Sequence, residues 1–116
     1  MIEIGSWMEN FLQNLERTFG GRVWFAGLQG SYARREATEN SDIDVVVILD
    51  ALTGDDLRVY KEMLDRMPHR EKICGFVGGR EEVLHWEPAE LVQFLIRTVQ
   101  PQRCSLSIVD PLKEEN

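Results

Sequence analysis

Two short apolar runs constrain this chain more than anything else in it. Val23-Trp24-Phe25-Ala26-Gly27-Leu28 is apolar on both alternating faces, and Ile43 to Leu49 is dense in β-branched residues. Segments of this kind are strands covered on both sides, because a strand exposed on one face would alternate with polar residues. The sheet therefore needs helices above and below it. The chain has 116 residues, enough for one compact domain over positions 1–116 and too few for two.

The rest of the sequence supplies those helices. Ser6 and Glu9 form a capping box for a helix starting at Trp7, with Trp7, Phe11 and Leu15 recurring on its buried side. Gly20-Gly21 ends it. Thr53 caps a second helix, with Asp55 and Asp56 in its first turn and Leu57, Tyr60, Leu64 and Met67 as its buried stripe. Pro68 closes that helix, and His69 beside it complements the dipole. Lys72 to Val77 reads as a short strand, broken by Gly78-Gly79, and Arg80 to Trp86 is ambiguous, open to a helical turn. Pro88 opens a third long helix, 88–99, with Leu91 and Leu95 on one side and Val92 and Ile96 beside them. A last strand, Arg103 to Val109, alternates apolar and polar residues as at a sheet edge. The order α-β-β-α-β-α-β specifies an α/β or α+β fold.

Composition narrows the function. Apolar residues make up 43% of the chain, as in globular proteins. Twenty acidic against thirteen basic side chains leave a net charge of −7, unsuited to general nucleic-acid binding. One phosphate-bearing ligand remains compatible, since screening limits charge effects to ~8 Å at physiological salt. No apolar run reaches the ~20 residues of a membrane span, and the N-terminal stretch does not read as a signal peptide. A cytoplasmic location is expected, with Cys74 and Cys104 as reduced, partly buried thiols.

The chemistry-bearing residues lie where the two apolar strands end. Asp42 and Asp44, at positions i and i+2 of a strand entry, share one face roughly 7 Å apart. Two carboxylates aimed the same way repel unless a cation lies between them. Magnesium, a hard cation that keeps water and phosphate in its shell, suits them, and a two-metal arrangement would stabilise both oxygens of a phosphoryl displacement. Gly30-Ser31 follows the first strand. A glycine there lets the backbone N–H groups of Ser31 and Tyr32, with the Ser31 hydroxyl, approach a phosphate, and Arg34 and Arg35 add charge. A lone Asp-x-Asp is usually a solvated strand end, and a lone Gly-Ser is weaker still. Their order, strand, Gly-Ser, polar connector, Ser-Asp-Ile-Asp, strand, puts a phosphate cradle beside a metal cradle.

Gly30-Ser31-Tyr32-Ala33-Arg34 followed by Ser41-Asp42-Ile43-Asp44-Val45 resembles the signature of the DNA polymerase β-like nucleotidyltransferase superfamily. The chain is most similar to the small prokaryotic minimal nucleotidyltransferase (MNT) proteins. The resemblance implies a mixed β-sheet of about four strands flanked by helices. It also implies a divalent metal, magnesium or manganese, and transfer of a nucleoside monophosphate from an NTP, ATP first among them, to a hydroxyl of a protein, RNA or small molecule. By position, Gly30, Ser31 and Arg34 would hold nucleotide, while Asp42 and Asp44 would bind metal and carry catalysis. It further implies a partner, since minimal nucleotidyltransferases commonly pair with an all-helical HEPN protein in toxin–antitoxin systems. An antitoxin or regulatory nucleotide-binding subunit, catalytically degenerate or not, is therefore the alternative to an enzyme, and self-association would complete an open site. Two departures stand out. Arg35 occupies a position where members often have glycine. The third carboxylate that active members carry on a later strand has no counterpart inside Lys72–Val77, leaving Glu71, Glu81, Glu82, Asp110 or none. His85 and Trp86 either line a base or acceptor pocket or anchor a loop. Arg80-Glu81-Glu82 reads as a solvated turn.

Overall fold

The computed structural model describes residues 2–90 and Gln93. The elements in chain order are α1 (Ile4–Phe19), β1 (Val23–Gln29), α2 (Gly30–Ala33), β2 (Ile43–Leu49), α3 (Gly54–Asp65), β3 (Ile73–Gly79) and α4 (Arg80–Leu84), with short 3-10 turns at Gly20–Arg22 and Arg70–Lys72. Pro88, Ala89, Glu90 and Gln93 are helical, in keeping with the expected helix 88–99. The rest of that helix, the expected strand 103–109, Cys104 and Asp110 lie outside the described residues.

Among the described residues the sheet has three strands in the order β1-β2-β3. β1 runs antiparallel to β2, and β2 runs parallel to β3. The described sheet is therefore mixed, as expected, and holds three of the about four strands expected, the remaining one falling at 103–109. β2 is central and, as expected of its β-branched run, buried along Ile43 and Val45–Leu49. Ile43, Val45, Val47 and Leu49 face one core, shared with Phe11, Leu12 and Leu15 of α1 and Tyr60, Met63 and Leu64 of α3. Val46 and Ile48 face the other, with Trp24, Phe25 and Val83. The two cores account for the apolarity of both faces of the strand runs.

A bulge interrupts β1. Val23 pairs with Leu49 and Phe25 with Ile48, so Trp24 is an extra residue. Val23 packs in the α1–α3 core, whereas Trp24 and Phe25 both join the opposite one. β3 also departs from expectation by continuing through Gly78-Gly79, which pair with Ile48 and Leu49 and are buried. Ladder bonds to a central strand outweigh the low strand preference of two glycines. The register of β3 is further fixed at Gly75, whose φ is 127°. A Cβ there would run into the Val45 carbonyl oxygen, so only glycine lets the two backbones approach this closely.

Capping explains the helix ends. α1 starts a turn earlier than expected because Glu3, not Ser6, is the cap. Its carboxylate accepts a hydrogen bond from the Ser6 N–H at 2.9 Å. At α3 the Thr53 hydroxyl accepts from the Asp56 N–H and the Asp56 carboxylate accepts from the Thr53 N–H, both at 3.0 Å, a reciprocal capping box. Met63 is deeper than Leu57 in the α3 stripe, because Leu57 stands at the less covered first turn.

The same Asp56 takes a bidentate ion pair from Arg22, with both contacts at 2.9 Å. Arg22 also donates from Nε to Asp50 at 3.0 Å and from a terminal nitrogen to the Ala51 carbonyl at 3.1 Å. One guanidinium thus ties the entry of β1 to the exit of β2 and the start of α3. Arg22 holds the Asp56 carboxyl well below the usual carboxylate range, with help from the Thr53 N–H. A depressed carboxylate stabilises the fold above its unfolded pKa of about 3.9 and loses that contribution as pH falls through the lower folded value. Asp56→Asn should therefore lower stability at pH 7 by about 2 kcal/mol, the order of one charged hydrogen-bonded pair. The gap from wild type in urea melts should close progressively below about pH 4. A gap that stays constant from pH 7 to pH 2 would remove the ion pair from this role.

Candidate nucleotide and metal site

The site lies at one end of the sheet, where β1 ends and β2 and β3 begin. Gln29, the last residue of β1, pairs with Asp44, and Asp44 pairs on its other side with Cys74 of β3. Paired residues share a face, so Gln29, Asp44 and Cys74 stand in a row. That face also carries Val46 and Ile48, the side away from α1 and α3. Asp42, two residues before Asp44, is exposed at the mouth of the strand, and Asp44 is half-buried.

Gly30 comes next to Asp44 in space. Its φ is 76°, and a Cβ on it would lie 3.2 Å from both Cβ and Oδ2 of Asp44. The absent side chain leaves room beside that carboxylate, and the left-handed backbone begins the four-residue turn α2. Ser31 is half-buried in this turn and Tyr32 is buried in the α1–α3 core, pinning it down. The turn closes with Arg34 and Glu36 donating backbone N–H groups to Gly30 and Ser31 carbonyls, at 3.1 and 2.8 Å.

The connector to β2 is ordered locally. Arg35 has a φ of 61°, left-handed backbone that a side chain rarely adopts. Glycine, which the resemblance implies at this position, would adopt that backbone without strain. Arg34 is exposed, its Nε donating to the Glu36 carboxylate at 3.0 Å. Ser41 accepts from the Thr38 N–H through Oγ at 2.8 Å and donates its own N–H to the Thr38 carbonyl at 3.1 Å. Lys72 donates to the Glu39 carbonyl at 3.0 Å, tying the connector to the β3 entry. These bonds deliver the chain into Asp42.

The electrostatics match the geometry. Burial, then the charge of Asp42, push up the Asp44 carboxyl. Desolvation, then Asp44 and Asp42, push up the Cys74 thiol. Asp44 thus carries an uncompensated negative environment, the condition a divalent cation relieves. Two oxygen donors beside a space made by glycine fit magnesium, which commonly takes one or two carboxylates and fills its shell with water and phosphate. Among the described residues no group of three His, Cys, Asp or Glu side chains is placed to hold a metal ion.

Gly30 thus lies against Asp44, the charge of Asp42 reaches Asp44, and Arg34 is exposed in an ion pair with Glu36. Cys74 is exposed rather than partly buried as expected, and it is the neighbour that the sequence pattern did not reveal. Only the β2–β3 register exposes that proximity. Glu81 and Glu82 follow the opposite end of β3, and Glu82 is engaged in accepting from the Gly79 N–H at 3.3 Å. Trp86 packs edge-on against Phe76, with ring centroids 5.5 Å apart, anchoring the segment after α4. His85 is exposed, its Nδ1 2.7 Å from the Glu81 carbonyl oxygen. His69 caps the turn before β3 with left-handed backbone.

No helix among the described residues is long and apolar enough to cross a membrane. A comparison with curated proteins found no match. The model of the family described as nucleotidyltransferase domain matches residues 8–100, a span that includes all of the Gly30-Ser31 and Asp42/Asp44 pattern. Nucleotidyl transfer is the family's general function, and its members generally use an NTP and a divalent metal. With most of its length inside that match, the chain belongs to the nucleotidyltransferase domain family.

Proposed function

We propose that this chain, a single domain over residues 1–116, binds an NTP, ATP first among them, with magnesium or manganese. We propose that it transfers the nucleoside monophosphate to a hydroxyl of a protein, RNA or small molecule. The observation that supports this reading is the closeness of Gly30 to Asp44, since a glycine turn suited to phosphate beside an acid suited to a cation is what such chemistry needs. In this reading the backbone N–H groups at Ser31 and Tyr32 and the Ser31 hydroxyl hold phosphate oxygens. Asp42 and Asp44 hold the cation, and Arg34 adds charge at the rim. Releasing Arg34 from Glu36 is cheap, because an exposed pair of this kind contributes at most about 1 kcal/mol. A bound cation would neutralise the phosphate charge that builds up as the bond to the leaving pyrophosphate breaks. The reaction would take place in the cytoplasm.

A second reading has its own observation. Cys74 stands beside Asp44 where a carboxylate would complete the acid set. That favours a nucleotide-binding antitoxin or regulatory subunit, working with a HEPN-type helical partner, in which transfer is weak or lost. A stable complex with such a partner that forms equally well with Asp44→Asn would favour this second reading.

Two measurements test the first. Calorimetric titration of ATP with magnesium should give at least tenfold weaker binding for Asp42→Asn and for Asp44→Asn than for wild type. Unchanged affinity in both variants would sink the metal assignment. Asp44→Asn should also raise the melting temperature of the ligand-free protein slightly at pH 7, by less than ~1 kcal/mol equivalent. The sign follows from the raised Asp44 carboxyl: its charge opposes folding above its pKa, so the gain should vanish below about pH 4.

Gly30→Ala probes the cradle. The added methyl group meets the Asp44 side chain and sits on left-handed backbone. It should lower stability by about 1–2 kcal/mol and weaken ATP binding at least tenfold at a temperature where the variant is fully folded. Wild-type affinity in folded Gly30→Ala would show that the turn does not contact phosphate.

A further inference from the structure

The parallel pairing of β2 with β3 decides which residue of β3 stands beside the acid pair. Asp44 pairs with Cys74 and Val45 with Gly75, and the Val45–Gly75 backbone approach that excludes any Cβ prevents β3 from slipping. At ~3.3 Å per residue, Gly79 lies roughly 16 Å along the strand from Cys74, which puts Glu81 and Glu82 out of reach of Asp44. Glu71 sits in the turn before β3 with its side chain exposed. Cys74 is therefore the residue of β3 that adjoins Asp44 on the site's face, and it brings a thiol. Magnesium and manganese prefer oxygen donors, and a thiol is a poor substitute for either.

We infer that Cys74 stands where a third protein ligand would, so that among the described residues the acid pair is left to hold a hard divalent cation weakly and position 74 sets that affinity. This rests on the proposed assignment of Asp42 and Asp44 as cation ligands. It implies that a carboxylate placed at position 74 completes the set without any other change. The residue is exposed, so the substitution does not disturb either core.

The test is calorimetric titration of manganese chloride into the full chain without nucleotide, for wild type, Cys74→Asp, Cys74→Glu and Cys74→Ser, with circular dichroism to check the fold of each. At least one of the two acidic variants should bind manganese tenfold or more tightly than wild type. Cys74→Ser should stay within about twofold of wild type, because a hydroxyl adds no charge. Asp44→Asn combined with the tighter acidic variant should abolish the gain. Folded acidic variants with wild-type manganese affinity would overturn the inference, as would wild-type binding already as tight as theirs. A gain that survives Asp44→Asn would overturn it too, because the cation would then lie elsewhere. Failure of the nucleotide reading is separate: it appears as absent ATP binding by wild type, whatever manganese does in the nucleotide-free variants.

Discussion

The described part of this molecule is organised around β2, a central strand buried on both faces that begins at two carboxylates. Apolar contacts from α1 and α3 on one side, and from Trp24, Phe25 and Val83 on the other, hold Ile43 and Val45–Leu49 away from water. Burial of that extent fixes the strand's position and the alternation of its side chains. Asp44 interrupts the run as a half-buried acid, tolerable only because it lies at the open end beside a glycine. A charge placed two or three residues further along would face full desolvation. Core and site are thus consequences of one strand at different depths.

The two ends of the sheet solve opposite electrostatic problems. At one end Arg22 meets Asp50 and Asp56, so opposite charges converge and are satisfied. At the other end the charge of Asp42 reaches Asp44, no cation stands among the hydrogen bonds and ion pairs around them that the structure describes, and burial and that charge push the Asp44 carboxyl toward its neutral form. Proteins often hold their functional groups in an arrangement that costs stability. The ion cluster at the far end anchors β1, β2 and α3 at a distance from the acid pair.

How much of this could be read from the sequence depended on whether the determinant was local. The nearness of Asp42 to Asp44 was legible from their spacing, because the geometry of an extended chain needs no partner. The Thr53 cap and the β1 and β2 runs were legible for the same reason. The start of α1 was less so, since Glu3 and Ser6 both offer capping oxygens and only the folded chain shows which one is used. The neighbourhood of Cys74 was not legible at all: it depends on the parallel register of two strands separated by a helix. The extension of β3 through Gly78-Gly79 was hidden likewise, because pairing with Ile48 and Leu49, not propensity, puts those glycines in the sheet.

The bulge at Trp24 has a consequence for the length of β1. Between Val23, opposite Leu49, and Gln29, opposite Asp44, β1 takes six steps while β2 takes five. The bulge absorbs the difference, like a link let into a chain stretched between two fixed posts. One post is the Arg22 cluster and the other is the meeting of Gly30 with Asp44. Removing a single residue from β1 would leave the segment one step short, and the protein could keep the posts only by straightening the bulge and withdrawing an aromatic side chain from the second core. Insertions and deletions in β1 therefore act on the site from several residues away. Spacing between anchors, as much as the identity of the residues at them, is what this short strand encodes.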